Sequence, residues 1–276
     1  MVTDLVADSR ERGLSLDLLF GAFDGSNCVS AALAIESPGH AALLMAPERE
    51  SGPGFRDATK ACLIALQQAA WNRCNILLEM LLPTDCQVLA QAAWASGLRY
   101  LTRLLYLRRP ADAPNLAHDP RADFQWVTFA EDRAELFIQA IQCSYVQSLD
   151  CPELTGLRPM SDVLAGHRAA GPFDPSLWSV ALVDAQPVAV LLLSRLARQE
   201  TVEIVYMGVA QVARGTGVAN ALMHRAVEAA GAVGAKSLAL AVDQRNTPAR
   251  KLYARFGFTP FAARDAWIVT SPPTGG

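Results

Sequence analysis

The chain has 276 residues, of which 51% are hydrophobic and 18% are charged, and its formal net charge is −3. This length and apolar content are typical of one large domain or two modest ones with an ample core. The cations are nearly all arginines scattered along the chain, not the basic stripe of a nucleic-acid-binding protein, so we expect no nucleic-acid partner.

The apolar segments, the first residues and the cysteines bear on where the protein works. No apolar run reaches the roughly 18–20 residues of a transmembrane helix. The chain starts MVTDLVADSRERG, acidic and polar where a signal peptide would be basic and then apolar. The six cysteines contain no CxxC pair, which favours free thiols in a reducing compartment. We therefore expect a cytoplasmic protein without a membrane partner.

The first half of the chain alternates strand patterns with helix patterns. Turn residues and β-branched or alternating apolar runs indicate strands, and apolar residues at helical spacing indicate helices. In chain order, the patterns predict a β-hairpin over 17–36, a strand over 40–47, a helix over 54–73, a strand over 75–81, a helix over 85–97 and a strand over 98–109.

A segment with three prolines and no periodicity, RRPADAPNLAHDPRAD, follows the first half. Such segments are typical of linkers. We therefore predict a first domain over 1–108, a linker over 109–123, a second domain over 124–271 and a flexible tail over 272–276.

The second half opens with an amphipathic segment over 132–171 that has no counterpart in the first. The patterns then predict strands over 177–184, 186–196 and 201–210, a helix over 217–234, a strand over 237–242, a helix over 246–257 and strand residues over 258–269. We expect Thr247 to be the N-cap of the last helix, with Pro248 at its first position, and Asn246 is a second candidate for this cap. We expect His224 to lie on the outer face of its helix.

The two halves run in a similar order, at an offset of about 160 residues for several elements, and a repeat at one offset is typical of internal duplication. WASGLRYLTRLLYLRR and YARFGFTPFAARDAWIV show the same helix-glycine-strand close. The alternative is coincidence, because strands and helices alternate in all α/β proteins.

The stretch VARGTGVAN, which joins a strand to a helix, is typical of a phosphate-binding turn. A P-loop is excluded because no Gly-Lys pair occurs in the sequence, and a dinucleotide fingerprint is disfavoured because Asn220 stands where the third glycine belongs. A pyrophosphate bound by successive backbone N–H groups fits better, with Arg214 adding a charge-assisted hydrogen bond.

Two patterns resemble the GNAT superfamily of N-acetyltransferases. The run from Arg214 to Ala219 matches the family's [Q/R]xxGx[G/A] signature, with Val209 five residues ahead. NTPARKLYARFGF resembles the second signature through Asn246, Ala249, Tyr253, Gly257 and Phe258. The matching position in the first half, ERESGPGFRD, has Pro53 and no arginine before a Gly-x-Gly, so chemistry is expected in the second half.

The resemblance implies an α/β (α+β) fold of two GNAT-like units, each a mixed, mostly antiparallel sheet flanked by helices, with a degenerate first unit. It implies acetyl-CoA as co-substrate and no metal. It also implies that the strand over 201–209 splays from the strand over 237–242 to admit the thioester. The cofactor-binding residues it implies are Met207, Gly208, Val209, Arg214, Gly215, Thr216, Gly217, Val218, Ala219, Asn246 and Ala249.

For catalysis, the resemblance implies Tyr253 as the general acid and Glu203 as a candidate base, with Glu200 as a competitor. Strand alternation would put Glu203 on one face with Val205, Met207 and Val209. It also implies that the acceptor is the amine of a small molecule and that the pocket is lined by the segment of Cys143, Tyr145, Asp150, Cys151 and Glu153. Open alternatives are a macromolecular amine, another acyl group or an O-acceptor, and a non-catalytic acyl-CoA-binding or protein-interaction role. A monomer is compatible with the duplication, since two similar halves can imitate a dimer within one chain.

Overall fold

A computed structural model describes residues 15–48, 52–114 and 124–271. The described residues divide into two compact units, the first formed by those within 15–103 and 263–271 and the second by those within 104–262. The predicted tail and most of the predicted linker lie outside the described residues, although Arg109 and Pro110 belong to a strand.

The first unit is a sheet with two helices. Its elements are β1 (Leu19–Asp24), β2 (Asn27–Ser37), β3 (Ala41–Met45), α1 (Phe55–Asn72), β4 (Leu77–Pro83), α2 (Gln87–Ala95), the start of β5 (Arg99–Pro110) and the end of β11 (Thr259–Val269). Strands β1, β2, β3, β4 and β11 are neighbours in that order. Only the β3–β4 pair of this series is parallel. Apolar side chains such as Leu63 and Leu66 of α1 are completely buried in its core.

The second unit contains the remaining elements. They are the end of β5, β6 (Gln125–Thr128), α3 (Ala134–Tyr145), α4 (Met160–Ala169), β7 (Trp178–Val183), β8 (Gln186–Leu196), β9 (Thr201–Val209), α5 (Val218–Ala232), β10 (Ser237–Asp243), α6 (Thr247–Arg255) and the start of β11. The strand order is β5, β10, β9, β8, β7 and β6, with only β9 and β10 parallel. The mixed, mostly antiparallel sheets flanked by helices confirm the predicted fold class.

The two units do not follow a simple division at residue 108. In the first unit, residues 264–269 of β11 pair with β4, and in the second unit residues 104–110 of β5 pair with β10. Each half of the chain therefore gives its last strand segment to the sheet of the other half. The sequence did not indicate this exchange because both closing strands follow the same helix-glycine pattern, and alternation along a strand does not name its partner.

The structure differs from the local predictions at three places. Asn246 caps α6, since its side-chain oxygen accepts the Ala249 N–H at 3.2 Å, so the prediction of Thr247 as N-cap was wrong. His224 is buried, with its ring 5.2 Å from that of Phe256, so its predicted outer position was also wrong. Strand β6 was not anticipated because only four residues form it.

Trp178 is the largest fully buried side chain among the described residues and lies in the core of the second unit. Its ring lies 4.9–6.3 Å from those of Phe129, Phe137 and Phe173, and its Nε1 donates to the Leu193 carbonyl at 3.1 Å. We expect Trp178→Ala to lower the free energy of unfolding by about 3–5 kcal/mol, because it leaves a cavity. Urea unfolding measures this, with Trp94→Ala as the exposed control. Equal losses for the two variants would contradict the assignment.

Candidate active site

A cavity of about 530 Å³ opens in the second unit where two parallel strands separate. The ladder between β9 and β10 runs from Thr201/Ser237 to Ile204/Leu240, and both strands then continue without pairing to each other. The cavity is lined by residues 204–209 of β9 and 240–242 of β10. The predicted splay of these strands is therefore present, and the gap is open to a ligand.

The glycine turn forms one wall of this cavity. Gly215 and Gly217 have φ values of 82° and 96°, which glycine adopts readily and other residues rarely do. Within the described residues, the backbone N–H groups of Gly215, Gly217, Val218 and Ala219 have no protein acceptor. Gly217 immediately precedes α5, so these donors stand at the positive end of a helix dipole. The turn therefore has the chemistry of an anion site.

The Arg214 side chain is held by backbone carbonyls. Its guanidinium donates to the carbonyls of Ser144, Val146 and Gln147 at 2.7–3.1 Å, and to that of Val209 at 3.3 Å. Cations at a helix C-terminus satisfy its last carbonyls and favour the dipole. Arg214 thus ties the glycine turn to the end of α3, and the backbone of the turn is left as the anion-binding element.

Asn220 and Arg255, which sequence reasoning missed, also line the cavity. Arg255 donates to the Asn220 side-chain oxygen at 3.1 Å, which brings a guanidinium beside the first turn of α5. The only sequence signal was a basic residue in the last turn of α6.

Tyr253 of α6 faces the cavity, as do Asn246 and Ala249 on the same helix or at its cap. Burial raises the pKa of the Tyr253 phenol, and the charge of Asp150 raises it further. The phenol is therefore protonated at neutral pH and can donate a hydrogen bond or a proton into the cavity.

Glu203 does not lie on the predicted strand face. Leu192 of β8 pairs with Tyr206 while Leu193 pairs with Ile204, so Val205 is the extra residue of a β-bulge. A bulge resets the alternation, and Glu203 consequently shares a face with Tyr206 and Gly208, not with Met207 and Val209.

Glu203 is not among the cavity-lining residues, and desolvation raises the pKa of its carboxyl group. The competing Glu200 is exposed, forms an ion pair with Lys236 at 2.6 Å and does not line the cavity either. Thr216 and Val218 of the glycine turn likewise stand outside the lining, and the Thr216 hydroxyl donates to the Ala213 carbonyl at 2.7 Å.

Gly208 lets α3 approach β9. The Ser144 hydroxyl bonds the Ile141 carbonyl and the Tyr206 hydroxyl, both at 2.7 Å. A Cβ on Gly208 would collide with Ser144 Oγ and lie 2.6 Å from Ser144 Cβ. Close backbone approach therefore explains the glycine at this position.

We expect Gly208→Ala to lower the free energy of unfolding by about 1–3 kcal/mol, the usual cost of overpacking. The double variant Gly208→Ala/Ser144→Gly should recover part of this loss because it removes the colliding atoms. Thermal and urea unfolding of the three proteins measure the effect. A double variant less stable than the sum of both single changes would contradict this packing.

The loop after α3 is fixed at the end of β10. Its Asp150 Oδ1 accepts the Asp243 N–H at 3.0 Å, and the Cys151 N–H donates to Asp243 Oδ2 at 3.2 Å. Arg245 bridges Asp243 at 2.7 Å and Glu153 at 2.6 Å. Of the residues predicted for the acceptor segment, Asp150 alone lines the cavity.

No helix of the described residues is long and apolar enough to cross a membrane. No group of three or more His, Cys, Asp or Glu residues within the described part of the chain could hold a metal ion.

Comparison with known protein families shows a match over part of the chain. Residues 144–258 match the model of the Acetyltransferase (GNAT) family, a span that holds the glycine turn, the strand gap and Tyr253. No curated protein matches the sequence.

Among solved structures, the chain is similar to three GNAT proteins along most of its length. A GCN5-related N-acetyltransferase from Sphaerobacter thermophilus has 16% identity and a TM-score of 0.67, covering 98% of this chain and 85% of that one. A GCN5-related N-acetyltransferase from Kribbella flavida has 16% identity and a TM-score of 0.57, covering 98% of this chain and 95% of that one. A tandem GNAT protein from the clavulanic acid biosynthesis pathway has 14% identity and a TM-score of 0.55, covering 95% of this chain and 86% of that one.

These structural likenesses concern the fold, and the sequence match concerns the second half of the chain. The matched residues include β9, β10, the glycine turn and α6, the elements that form the cavity. Residues 144–258 are therefore similar to the acetyltransferases of the GNAT family.

Proposed function

We propose that the protein transfers an acetyl group from acetyl-CoA directly to the amine of a small molecule. The observation that carries this proposal is that unpaired backbone donors and a protonated phenol line the same cavity. Unpaired backbone donors at Gly215, Gly217 and Ala219 stand at one wall, and the Tyr253 phenol faces the same space. An anionic cofactor and a reaction that needs a proton donor both fit this arrangement.

In this proposal, the pyrophosphate of acetyl-CoA lies on the backbone of residues 214–219, including Thr216 and Val218. The pantetheine arm enters the gap between β9 and β10 and pairs with the backbone of Met207, Gly208 and Val209. The amide near Val209 polarises the acetyl carbonyl, as a preorganised donor does for a developing oxyanion. Asn246 and Ala249 complete the wall on the α6 side.

The transfer then needs one acid and one base. The amine nitrogen attacks the thioester carbonyl carbon, the C–N bond forms and the C–S bond breaks. The leaving thiolate takes the phenol proton of Tyr253, which solvent later returns. Glu203 accepts the proton that nitrogen loses, through water because its carboxylate is outside the cavity lining. Desolvation raises the pKa of Glu203, which suits a base at neutral pH.

The first half is proposed to be a degenerate GNAT-like unit without catalysis. Its turn before α1 has Gly52 and Gly54 with positive φ, but Pro53 between them lacks an N–H group. We place the reaction in the cytoplasm, with no nucleic-acid or membrane partner and no metal.

The second candidate is a non-catalytic acyl-CoA-binding or protein-interaction role. The position of Glu203 outside the cavity lining favours it. The acetyltransferase and the non-catalytic role are distinguished by measuring thiol release from acetyl-CoA across a screen of amines. Amine-dependent release supports the enzyme, and acetyl-CoA binding with no release supports the alternative.

A further inference from the structure

We infer that Asp150 binds the ammonium group of the acceptor, so that the substrate class is cationic aliphatic amines and not neutral arylamines or alcohols. This inference rests on the proposed function and extends it from the cofactor to the acceptor. Its basis is the set of charged groups that line the cavity.

Asp150 is the only carboxylate among the described residues that line the cavity. Two guanidinium groups also line it, but each is held by oxygen atoms of the protein. Arg214 is held by backbone carbonyls, and Arg255 bonds Asn220. The cavity therefore combines an anion site at the glycine turn with a single negative charge from the loop after α3.

The neighbouring carboxylates of Asp243 and Glu153 both form ion pairs with Arg245. Arg245 contacts Asp243 at 2.7 Å and Glu153 at 2.6 Å, and both carboxylates are fixed by these ion pairs. Asp150 has no ion pair within the described residues. Its hydrogen bonds come from the neutral Asp243 N–H and the neutral Asn246 side chain, and the Arg245 charge lowers the pKa of Asp150 without forming an ion pair with it. The carboxylate is thus held in place and left available to a cation from the cavity.

Asp150 is also close to the proposed chemistry. Its charge raises the pKa of Tyr253 and contributes to the raised pKa of Tyr206, and both tyrosines line the cavity. The surrounding protein raises the pKa of Asp150 itself, chiefly by desolvation, which an incoming ammonium group would offset. The bound ammonium loses one proton to solvent before the attack, because its nitrogen needs a free lone pair to bond the thioester carbon.

The test uses two coenzyme A thioethers, so that no knowledge of the acceptor is needed. S-(2-aminoethyl)-CoA carries an ammonium group near the position of the attacking nitrogen, and S-propyl-CoA is its neutral counterpart of the same length. Isothermal titration gives the dissociation constant of each for the wild type, Asp150→Asn, Glu203→Gln and Asp132→Asn. Asparagine at 150 keeps an oxygen for the Asp243 N–H, and thermal unfolding checks that the variant folds. Asp132 is exposed and outside the cavity lining, so its variant is the charge-matched control.

The wild type is expected to prefer the ammonium thioether by about tenfold or more, the size of one charge-assisted hydrogen bond. Asp150→Asn should remove this preference while keeping the affinity for S-propyl-CoA, and Asp132→Asn should retain it. An equal preference in the wild type and Asp150→Asn, its absence in the wild type, or its loss only in Glu203→Gln would overturn the inference. If the wild type binds neither thioether, the proposed function fails and takes this inference with it.

Discussion

Replacing Gly217 with tryptophan is expected to weaken acetyl-CoA binding by at least about a hundredfold, equivalent to losing several hydrogen bonds to the pyrophosphate. Gly217 has a φ of 96° and lines the cavity, and no atom stands within 4 Å of the position of a Cβ. An indole there would project into the space proposed for the pyrophosphate, and its backbone strain would disturb the N–H groups at the start of α5. Isothermal titration with acetyl-CoA measures the change.

Gly234→Trp is the matched control for this experiment. Gly234 also has a positive φ, 66°, with open space around its Cβ position, but it follows the other end of α5 and does not line the cavity. It carries the same kind of strain without blocking the site, so its affinity for acetyl-CoA should stay within about threefold of the wild type. If Gly217→Trp binds acetyl-CoA as tightly as the wild type does, the glycine turn is not part of the cofactor site.

Tyr253→Phe is expected to lower the turnover number by about 10²–10⁴-fold, the usual contribution of a positioned acid. The phenol is enclosed by protein, and burial and Asp150 both raise its pKa, so it keeps its proton at neutral pH. Phenylalanine preserves the ring packing against Phe258, which lies 5.9 Å away between centroids. The acetyl-CoA dissociation constant should therefore change by less than about threefold, because the lost interaction acts on the leaving group.

The measurement is CoA thiol release with the best acceptor of the amine screen, alongside titration of acetyl-CoA. Tyr100→Phe is the control, since that tyrosine is half exposed, belongs to the first unit and is absent from the cavity lining. If Tyr253→Phe retains the wild-type turnover number, another group protonates the thiolate. If it loses turnover only in proportion to cofactor affinity, Tyr253 is a binding residue.

The features that the sequence predicted correctly are mainly local ones. The helices around 55–72 and 218–232 and the hairpin over 19–37 follow directly from periodicity and turn residues. Gly215 and Gly217 indicated their turn because only glycine adopts their φ values readily. The strand gap came from the family resemblance, and the end of the β9–β10 ladder confirms it.

Features that depend on non-local pairing were not predictable from the sequence. The exchange of β5 and β11 depends on which edge each strand meets, and both edges accept the same alternating pattern. The bulge at Val205 changes the face of Glu203, although nothing in the strand's composition marks it. The sequence did not indicate that the Arg214 guanidinium contacts the carbonyls of Ser144, Val146 and Gln147, because these residues lie about 70 positions earlier in the chain.

Acetyl transfer is tested by measuring thiol release from acetyl-CoA with and without each amine of the screen, followed by mass spectrometry of the amine. We expect at least one cationic amine to accelerate release and to gain one acetyl group on nitrogen. Gly217→Trp and Tyr253→Phe should both suppress this product. Tight acetyl-CoA binding without amine-dependent release or any acetylated amine would contradict an acetyltransferase and leave the acyl-CoA-binding alternative.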